Sequence, residues 1–460
     1  MMTSDQKLLF QKAQEYAFSY METVGNRPVF PSDEVLENLN IFYEPLPESP
    51  SSGAEILEML HKYGSPATVA QTGGRYFGFV NGGTIPEAQA SQWLTAAWDQ
   101  NAALYLMSPI ASFLETICQR WLIELFELPQ QCVAGLLSGS SAATLCGLAA
   151  ARYSILKKQG WDVNADGLSG APRIRVVLGE QAHSSVIKAL SILGFGRNQL
   201  ELAAADEQGR MRIESLPQLD DRTMLIAQAG NVNTGAFDDL DSIADFANEA
   251  GAWLHVDGAF GLWCAASQSR KYLTKGIEKA DSWSVDGHKT LNAPYDCGII
   301  LCRHPQSLAM AMQASGSYIH YSNNRDGMSY VPEMSRRARS VELWATLKAL
   351  GKTGIEELVD SLHRYAGQFG DELRTKGFKI LNEVVFNQVL VACDTDEETS
   401  ATLKNIQKSG LCWCGGASWQ GQQVIRISVC SWRTRQADIE DSVAVFIEAR
   451  ALARSREISS

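Results

Sequence analysis

The segment Ser284-Val285-Asp286-Gly287-His288-Lys289 carries the side chain best suited to covalent chemistry. A lysine that follows a short strand is usually a solvated point charge. This one is flanked by Trp283 and by Leu291-Asn292-Ala293-Pro294, which predict a buried turn. Burial disfavours the ammonium form and leaves a nucleophilic amine at neutral pH, as Schiff-base formation requires. Upstream, Trp253-Leu254-His255-Val256-Asp257-Gly258-Ala259 ends a buried strand on a carboxylate. Such a group costs free energy unless it is paired. It either caps the following turn or bonds a protonated ring nitrogen, keeping that ring an electron sink. In the second reading Ala259 is small so that a flat ring can lie against it. The two motifs are 289 − 257 = 32 positions apart, about one further strand–helix unit.

Two more turns lead into helices. Leu137-Ser138-Gly139-Ser140-Ser141-Ala142 offers either a simple N-cap from Ser140 or Ser141, or free amides, hydroxyls and a positive dipole end for a phosphate. The Gly-Lys-Ser/Thr ending of a Walker loop is absent. In Gln181-Ala182-His183-Ser184-Ser185 the histidine is a cap or core residue, or a ring that stacks on an aromatic cofactor. An amine, a carboxylate for a ring nitrogen, a phosphate-binding helix end and a stacking ring together point to pyridoxal 5′-phosphate held as a Schiff base on Lys289. No metal is expected. Cys412 and Cys414 are the close cysteine pair, with no matching Cys or His pair nearby to complete a zinc site.

The elements that must position these residues follow from periodicity. From about Leu136 to Arg303, short apolar runs (Ile174–Leu178, Met224–Ala227, Trp253–Val256, Cys297–Leu301) alternate with Ala- and Leu-rich helical stretches such as Ala142–Lys157 and Leu240–Ala250. That alternation predicts a mostly parallel sheet covered on both faces, with ligands beyond the carboxyl ends of its strands. Before it lie an amphipathic helix (Gln6–Val24), a Pro/Ser-rich connection (Glu44–Ser52) and a second helix from Ala54. This arm is too small to fold alone and is expected to pack on another surface, such as a partner subunit. After a helical run at Trp344–Gly351 the chain restarts as helix (Ile355–Lys376), strand (Val384–Val391), helix (Glu398–Lys408), strand (Val424–Val429) and helix (Asp438–Arg454). The expected organisation is an N-terminal helical arm (1–75), a large cofactor-binding domain (76–345) and a small C-terminal α/β domain (346–460).

A net charge of −12 over 460 residues argues against nucleic acid or an anionic membrane as partner. Ten scattered cysteines in apolar surroundings read as reduced, and Met1–Tyr16 is polar without a signal core, so a cytoplasmic protein is expected. No uninterrupted apolar run approaches the length of a membrane span.

The stretch from Ala229 to Pro305 resembles the group II pyridoxal-phosphate amino-acid decarboxylases, the aromatic-amino-acid and glutamate decarboxylase family. The matching pieces are Gly230-Asn231-Val232-Asn233-Thr234-Gly235-Ala236-Phe237-Asp238, His255-Val256-Asp257, Asp286-Gly287-His288-Lys289 and Tyr295-Asp296-Cys297. Phe77-Gly78-Phe79, Ser108-Pro109 with Glu115, and Ile425-Arg426-Ile427-Ser428-Val429-Cys430 extend the likeness over roughly residues 70 to 445. The resemblance implies an α/β, aspartate-aminotransferase-like (fold type I) enzyme: a large domain with a mostly parallel seven-stranded sheet and a smaller C-terminal domain. It further implies a homodimer that decarboxylates an L-amino acid to its amine. By the same resemblance His183 stacks on the cofactor, Asp257 pairs with its ring nitrogen, and Ser140, Ser141 and His288 hold its phosphate. Asn231 stands where relatives usually carry a threonine near the cofactor. Asp286 stands where asparagine is common, and a carboxylate there is unfavourable beside a phosphate unless it points away or is neutralised. Phe79, Asn81 and Tyr105 line the substrate pocket by position; Asn81 replaces a proline frequent in aromatic-specific relatives. The family delivers a proton from a loop tyrosine. The loop His320–Arg337 offers Tyr321 and Tyr330, and Tyr330 is the preferred donor. Relatives without that tyrosine turn to aldehyde formation, so aldehyde synthesis, carbon–carbon lysis and transamination are the rival reactions. A catalytically silent homologue is the rival of another class.

Overall fold

Apolar runs buried on both faces become the strands of a parallel sheet, because only helices above and below can remove both faces from water. The computed structural model describes residues 1–314 and 324–457. The chain divides into two compact units, one of residues 80–367 and 382–389, the other of residues 1–79, 368–381 and 390–460. The N-terminal arm groups with the C-terminal strands because β1 (Tyr76–Phe77) pairs in parallel with Trp413 and Cys414.

The larger unit is built on seven strands: β2 (Val133–Leu137), β3 (Arg175–Gly179), β4 (Leu200–Ala203), β5 (Thr223–Gln228), β6 (Trp253–Asp257), β7 (Ser282–Asp286) and β8 (Gly298–Cys302). Their spatial order is β2-β8-β7-β6-β5-β3-β4, parallel throughout except for β8, which runs antiparallel to both β2 and β7. β2 and β5 to β8 are buried along their whole length. Each Leu, Ile or Val so enclosed contributes about 1.5–3 kcal/mol relative to exposure. The helix Ser140–Lys158 lies on this sheet with Ala143, Cys146, Leu148, Ala150 and Leu156 fully buried, its small residues allowing close approach. The apolar core it shares with the strands continues through Val176, Leu190, Met224 and Ile300.

In the smaller unit β9 (Lys379–Ile380), β10 (Gln388–Ala392), β11 (Trp413–Trp419) and β12 (Gln422–Ser428) join β1 in the order β1-β11-β12-β10-β9. The strand expected from Val384 starts only at Gln388, because Asn382 and Glu383 are bonded to Thr234 O and Gln208 Oε1 instead. Helices Asp396–Ser409 and Gln436–Glu457 match the expected ones within two or three residues. The helix Ser340–Thr375 breaks at Gly351 (φ 58°), where the helical run was expected to end. Among the described residues no helix is long and apolar enough to cross a membrane.

Candidate active site

Three chain ends meet at the carboxyl edge of the central strands. β6 stops at Asp257, β7 stops at Asp286 and turns through Gly287 into His288 and Lys289, and β2 runs out beside them before the helix Ser140–Lys158 begins. The turn 138–140 reaches β7 only because Gly298 has no side chain: a Cβ there would stand 2.3 Å from Gly139 Cα. Neither serine caps its own helix; Gly139 is the N-cap, with no side-chain cap bond. Asp286 does the work from across the sheet. Its Oδ1 accepts the Ser140 N–H at 2.5 Å and its Oδ2 accepts the Ser140 hydroxyl at 2.6 Å. The same Oδ2 lies 3.1 Å from Lys289 Nζ, and His288 Nε2 is 3.7 Å from Oδ1. The Asp286 side chain is 2% exposed, so this is a buried ion pair that needs every one of these bonds. Ser141 is exposed and has no hydrogen-bond partner among the described residues, which leaves a free hydroxyl and amide at the positive end of the helix.

His288 Nδ1 accepts the Cys297 N–H at 3.1 Å, so its proton sits on Nε2 when the ring is neutral. Burial lowers its pKa and favours that neutral, donating form. Its ring stacks on Tyr295, with centroids 4.3 Å apart. Asp257 is 6% exposed, and the hydrogen bond it accepts, from Ala259 N–H, is long at 3.2 Å. Burial pushes its carboxyl up, and the charges of His183 and Lys289 pull it back. A buried carboxylate so weakly satisfied suits a positively charged donor. Ala259 also ties the two strand ends together, its carbonyl accepting the Asp286 N–H at 2.9 Å. His183 caps the helix Ser184–Ile192, its Nδ1 2.7 Å from Ser185 Oγ, and lines a small cavity with Asp257, Gln228 and Asp238. Asn231 spends its Oδ1 on the N–H groups of Asn233 and Thr234, and its Nδ2 donates to Gln181 O at 3.4 Å. It therefore shapes the turn and steadies the segment that carries His183.

Asn81 is brought to the Lys289 turn by backbone contact. Gly82 N–H donates to His288 O at 3.3 Å and Gly83 N–H to Asn292 Oδ1 at 2.7 Å. Tyr295 Oη donates to Asn81 Oδ1 at 3.0 Å. Tyr105 is half-buried, its N–H bonded to Asp326 Oδ1 at 2.8 Å. Phe79 belongs to the smaller unit, where its exposed ring stacks on Trp413, centroids 5.5 Å apart. Tyr330 lies beside the middle of β2: its carbonyl covers Gly135 and Arg325 stacks on its ring at 4.7 Å. Arg325 and Arg336 are in turn held by Glu115 at 2.8 and 2.7 Å. Those contacts hold the Tyr330 backbone and ring face. Tyr321 and His320 lie outside the described residues. Gly82 and Tyr295 were not singled out as functional from sequence. The Gly82-Gly83 doublet after Asn81 was the available signal, because paired glycines mark close backbone approach.

The donor set fits pyridoxal 5′-phosphate: an amine at Lys289, an under-bonded carboxylate at Asp257, a neutral imidazole donor at His288, and free donors at Ser141. The comparisons agree. Residues 40–392 match the pyridoxal-dependent decarboxylase conserved domain. The chain is 27% identical over 478 residues to an aromatic-L-amino-acid decarboxylase of Bacillus atrophaeus, covering 99% of this chain and 97% of that one. It is 29% identical to an acidic amino acid decarboxylase of Mus musculus over 68% of this chain and 59% of the other. Among solved structures, Oryza sativa TDC with PLP and tryptamine aligns with a TM-score of 0.89 at 20% identity, covering 98% of each chain. Mouse CSAD aligns with a TM-score of 0.88 at 22% identity, covering 96% of this chain and 98% of that one. With more than half of its length in the matching domain, the chain belongs to the pyridoxal-dependent decarboxylase family.

Proposed function

We propose that this protein is a cytoplasmic homodimer that converts one L-amino acid to the corresponding amine and carbon dioxide, with Lys289 as the cofactor-bearing residue. The observation that carries the reading is the convergence of Lys289, Asp257 and the Ser140 helix end at the carboxyl edge of β2, β6 and β7. In this reading Asp257 would pair with the ring nitrogen, His183 would stack on the ring, and Ala259 would leave room for it. Ser140, Ser141 and His288 hold the phosphate, and Asn231 supports His183 through Gln181. When bound, the cofactor supplies an electron sink that makes loss of the carboxylate feasible. The chain's own task is to keep the sink charged, to exclude water and to return a proton to the carbon that lost carbon dioxide.

Asn81 and Tyr295 supply a polar, hydrogen-bonded wall beside Lys289, which favours a substrate with a polar side chain over an aromatic one; Tyr105 adds to the proposed pocket. The dimer is supported by the arm: the helix Ser4–Thr23 has no buried residue although Leu8 and Phe10 are 64% and 66% exposed. All ten cysteines are free and buried, as suits a reducing compartment.

The test is direct. Purified protein should be yellow, borohydride should fix the cofactor on Lys289, and Lys289→Ala should abolish colour and turnover while remaining folded. Carbon dioxide release should then be screened over the proteinogenic amino acids, ornithine and diaminobutyrate. Attachment at another lysine overturns the assignment, and aldehyde without amine as product overturns simple decarboxylation.

A further inference from the structure

The end of the helix Ser140–Lys158 already holds an anion of the protein's own. A helix N-terminus attracts negative charge through its free amides and its dipole. Here Asp286 supplies it, taking the Ser140 N–H at 2.5 Å and the Ser140 hydroxyl at 2.6 Å while standing 3.1 Å from Lys289 Nζ. The backbone that carries this carboxylate is fixed at the end of β7, where the Asp286 N–H is bonded to Ala259 O and its carbonyl accepts the Trp263 indole N–H at 2.9 Å. Turning the side chain away would give up both Ser140 bonds and the contact with Lys289 Nζ.

We propose that Asp286 is a resident counter-anion of the cofactor cradle and an affinity-determining residue for phosphorylated cofactor. The proposal rests on the assignment of Lys289 and the Ser140 helix end to the cofactor. Asp286 satisfies the helix end and balances Lys289. A phosphate arriving at the same helix end competes with a buried like charge for the Ser140 donors and loses part of the attraction of Lys289. The cradle therefore binds the phosphate group more weakly than the same cradle with a neutral amide at this position. The penalty is specific to the phosphate. Pyridoxal, which offers the same carbonyl and ring without the phosphate, escapes it.

The experiment compares wild-type and Asp286→Asn apoprotein by equilibrium dialysis against pyridoxal 5′-phosphate and against pyridoxal. Asparagine keeps an acceptor for Ser140 and removes the charge. The expected result is that the ratio of pyridoxal 5′-phosphate to pyridoxal affinity rises about tenfold, the change that corresponds to 1.4 kcal/mol. Inorganic phosphate alone should then raise the unfolding temperature of the Asp286→Asn apoprotein more than that of wild type, a readout that involves no catalysis. Asp286→Ser, a smaller neutral replacement, should shift the affinity ratio in the same direction, and it serves if the asparagine variant does not fold. An unchanged or lowered ratio in a folded neutral variant overturns the role of Asp286. Failure of borohydride to fix the cofactor on Lys289 in wild type overturns instead the assignment on which the proposal rests.

Discussion

Gly82→Ala should uncouple the segment that carries Asn81 from the turn that carries Lys289. A Cβ at residue 82 would stand 2.1 Å from Lys289 O, 2.9 Å from His288 O and 3.0 Å from Lys289 C. All three are backbone atoms, in a turn pinned by Asn292, whose N–H and side-chain amide both donate to Lys289 O. The clash cannot be relieved by a rotamer. Restoring ordinary contact requires the segment and the turn to separate by about 1 Å, which as overpacking costs about 1–3 kcal/mol of stability. The 3.3 Å bond from Gly82 N–H to His288 O is then lost, and Asn81 moves away with it. A misplacement of about 1 Å at a reacting centre is worth about 10²-fold in rate, equivalent to about 2.7 kcal/mol in the barrier. The assay is kcat and KM for the substrate found in the carbon dioxide screen, together with a thermal melt. Gly415→Ala on β11, where no atom lies within 4 Å of the new Cβ, is the control. A Gly82→Ala enzyme with kcat/KM within about threefold of wild type and an unchanged melt would refute the claim that this contact sets the site.

Asp257→Asn keeps the shape and removes the charge; kcat should fall by about 10²–10³ while borohydride still fixes the cofactor on Lys289, and near-normal turnover would give the ring nitrogen another partner. Tyr330→Phe removes a hydroxyl from a ring that packs under Arg325, so the ratio of amine to aldehyde should stay unchanged; product analysis showing a swing to aldehyde would restore Tyr330 as proton donor, and the same swing in Tyr321→Phe would assign the role there. Asp238 accepts the N–H groups of Met211 and Gln228 at 2.7 Å each, and burial pushes its carboxyl up to about 6. The folded protein thus keeps a proton that the unfolded chain releases from about pH 4, so about 3 kcal/mol of stability is present below pH 4 and lost as pH rises to 6; urea midpoints at intervals across that range should fall in wild type and lack this component in Asp238→Asn, and identical slopes in both would dispose of it.

The chemistry was written in short local strings, and the sequence alone determined it. A carboxylate ending an apolar strand and a lysine one strand–helix unit later both lie within single peptide stretches, so the burial of the strand ends and the order along the chain follow from neighbours a few positions away. The strand–helix alternation likewise follows from periodicity, which is why β5, β6 and β8 are recognisable within one or two residues. Asp286 marks the limit. Its type raised the question of how a carboxylate could sit beside a phosphate site, but its answer comes from Ser140, 146 residues away, and from Lys289. The bond between Asn81 and Tyr295 spans 214 residues, and the pairing of β1 with β11 moves the N-terminal arm into the C-terminal unit. Local propensity carries no information about which distant segments become neighbours. That is set by the strand order and by the glycines, Gly82 and Gly298 among them, that let two backbones close to contact, and only the tertiary structure decides it.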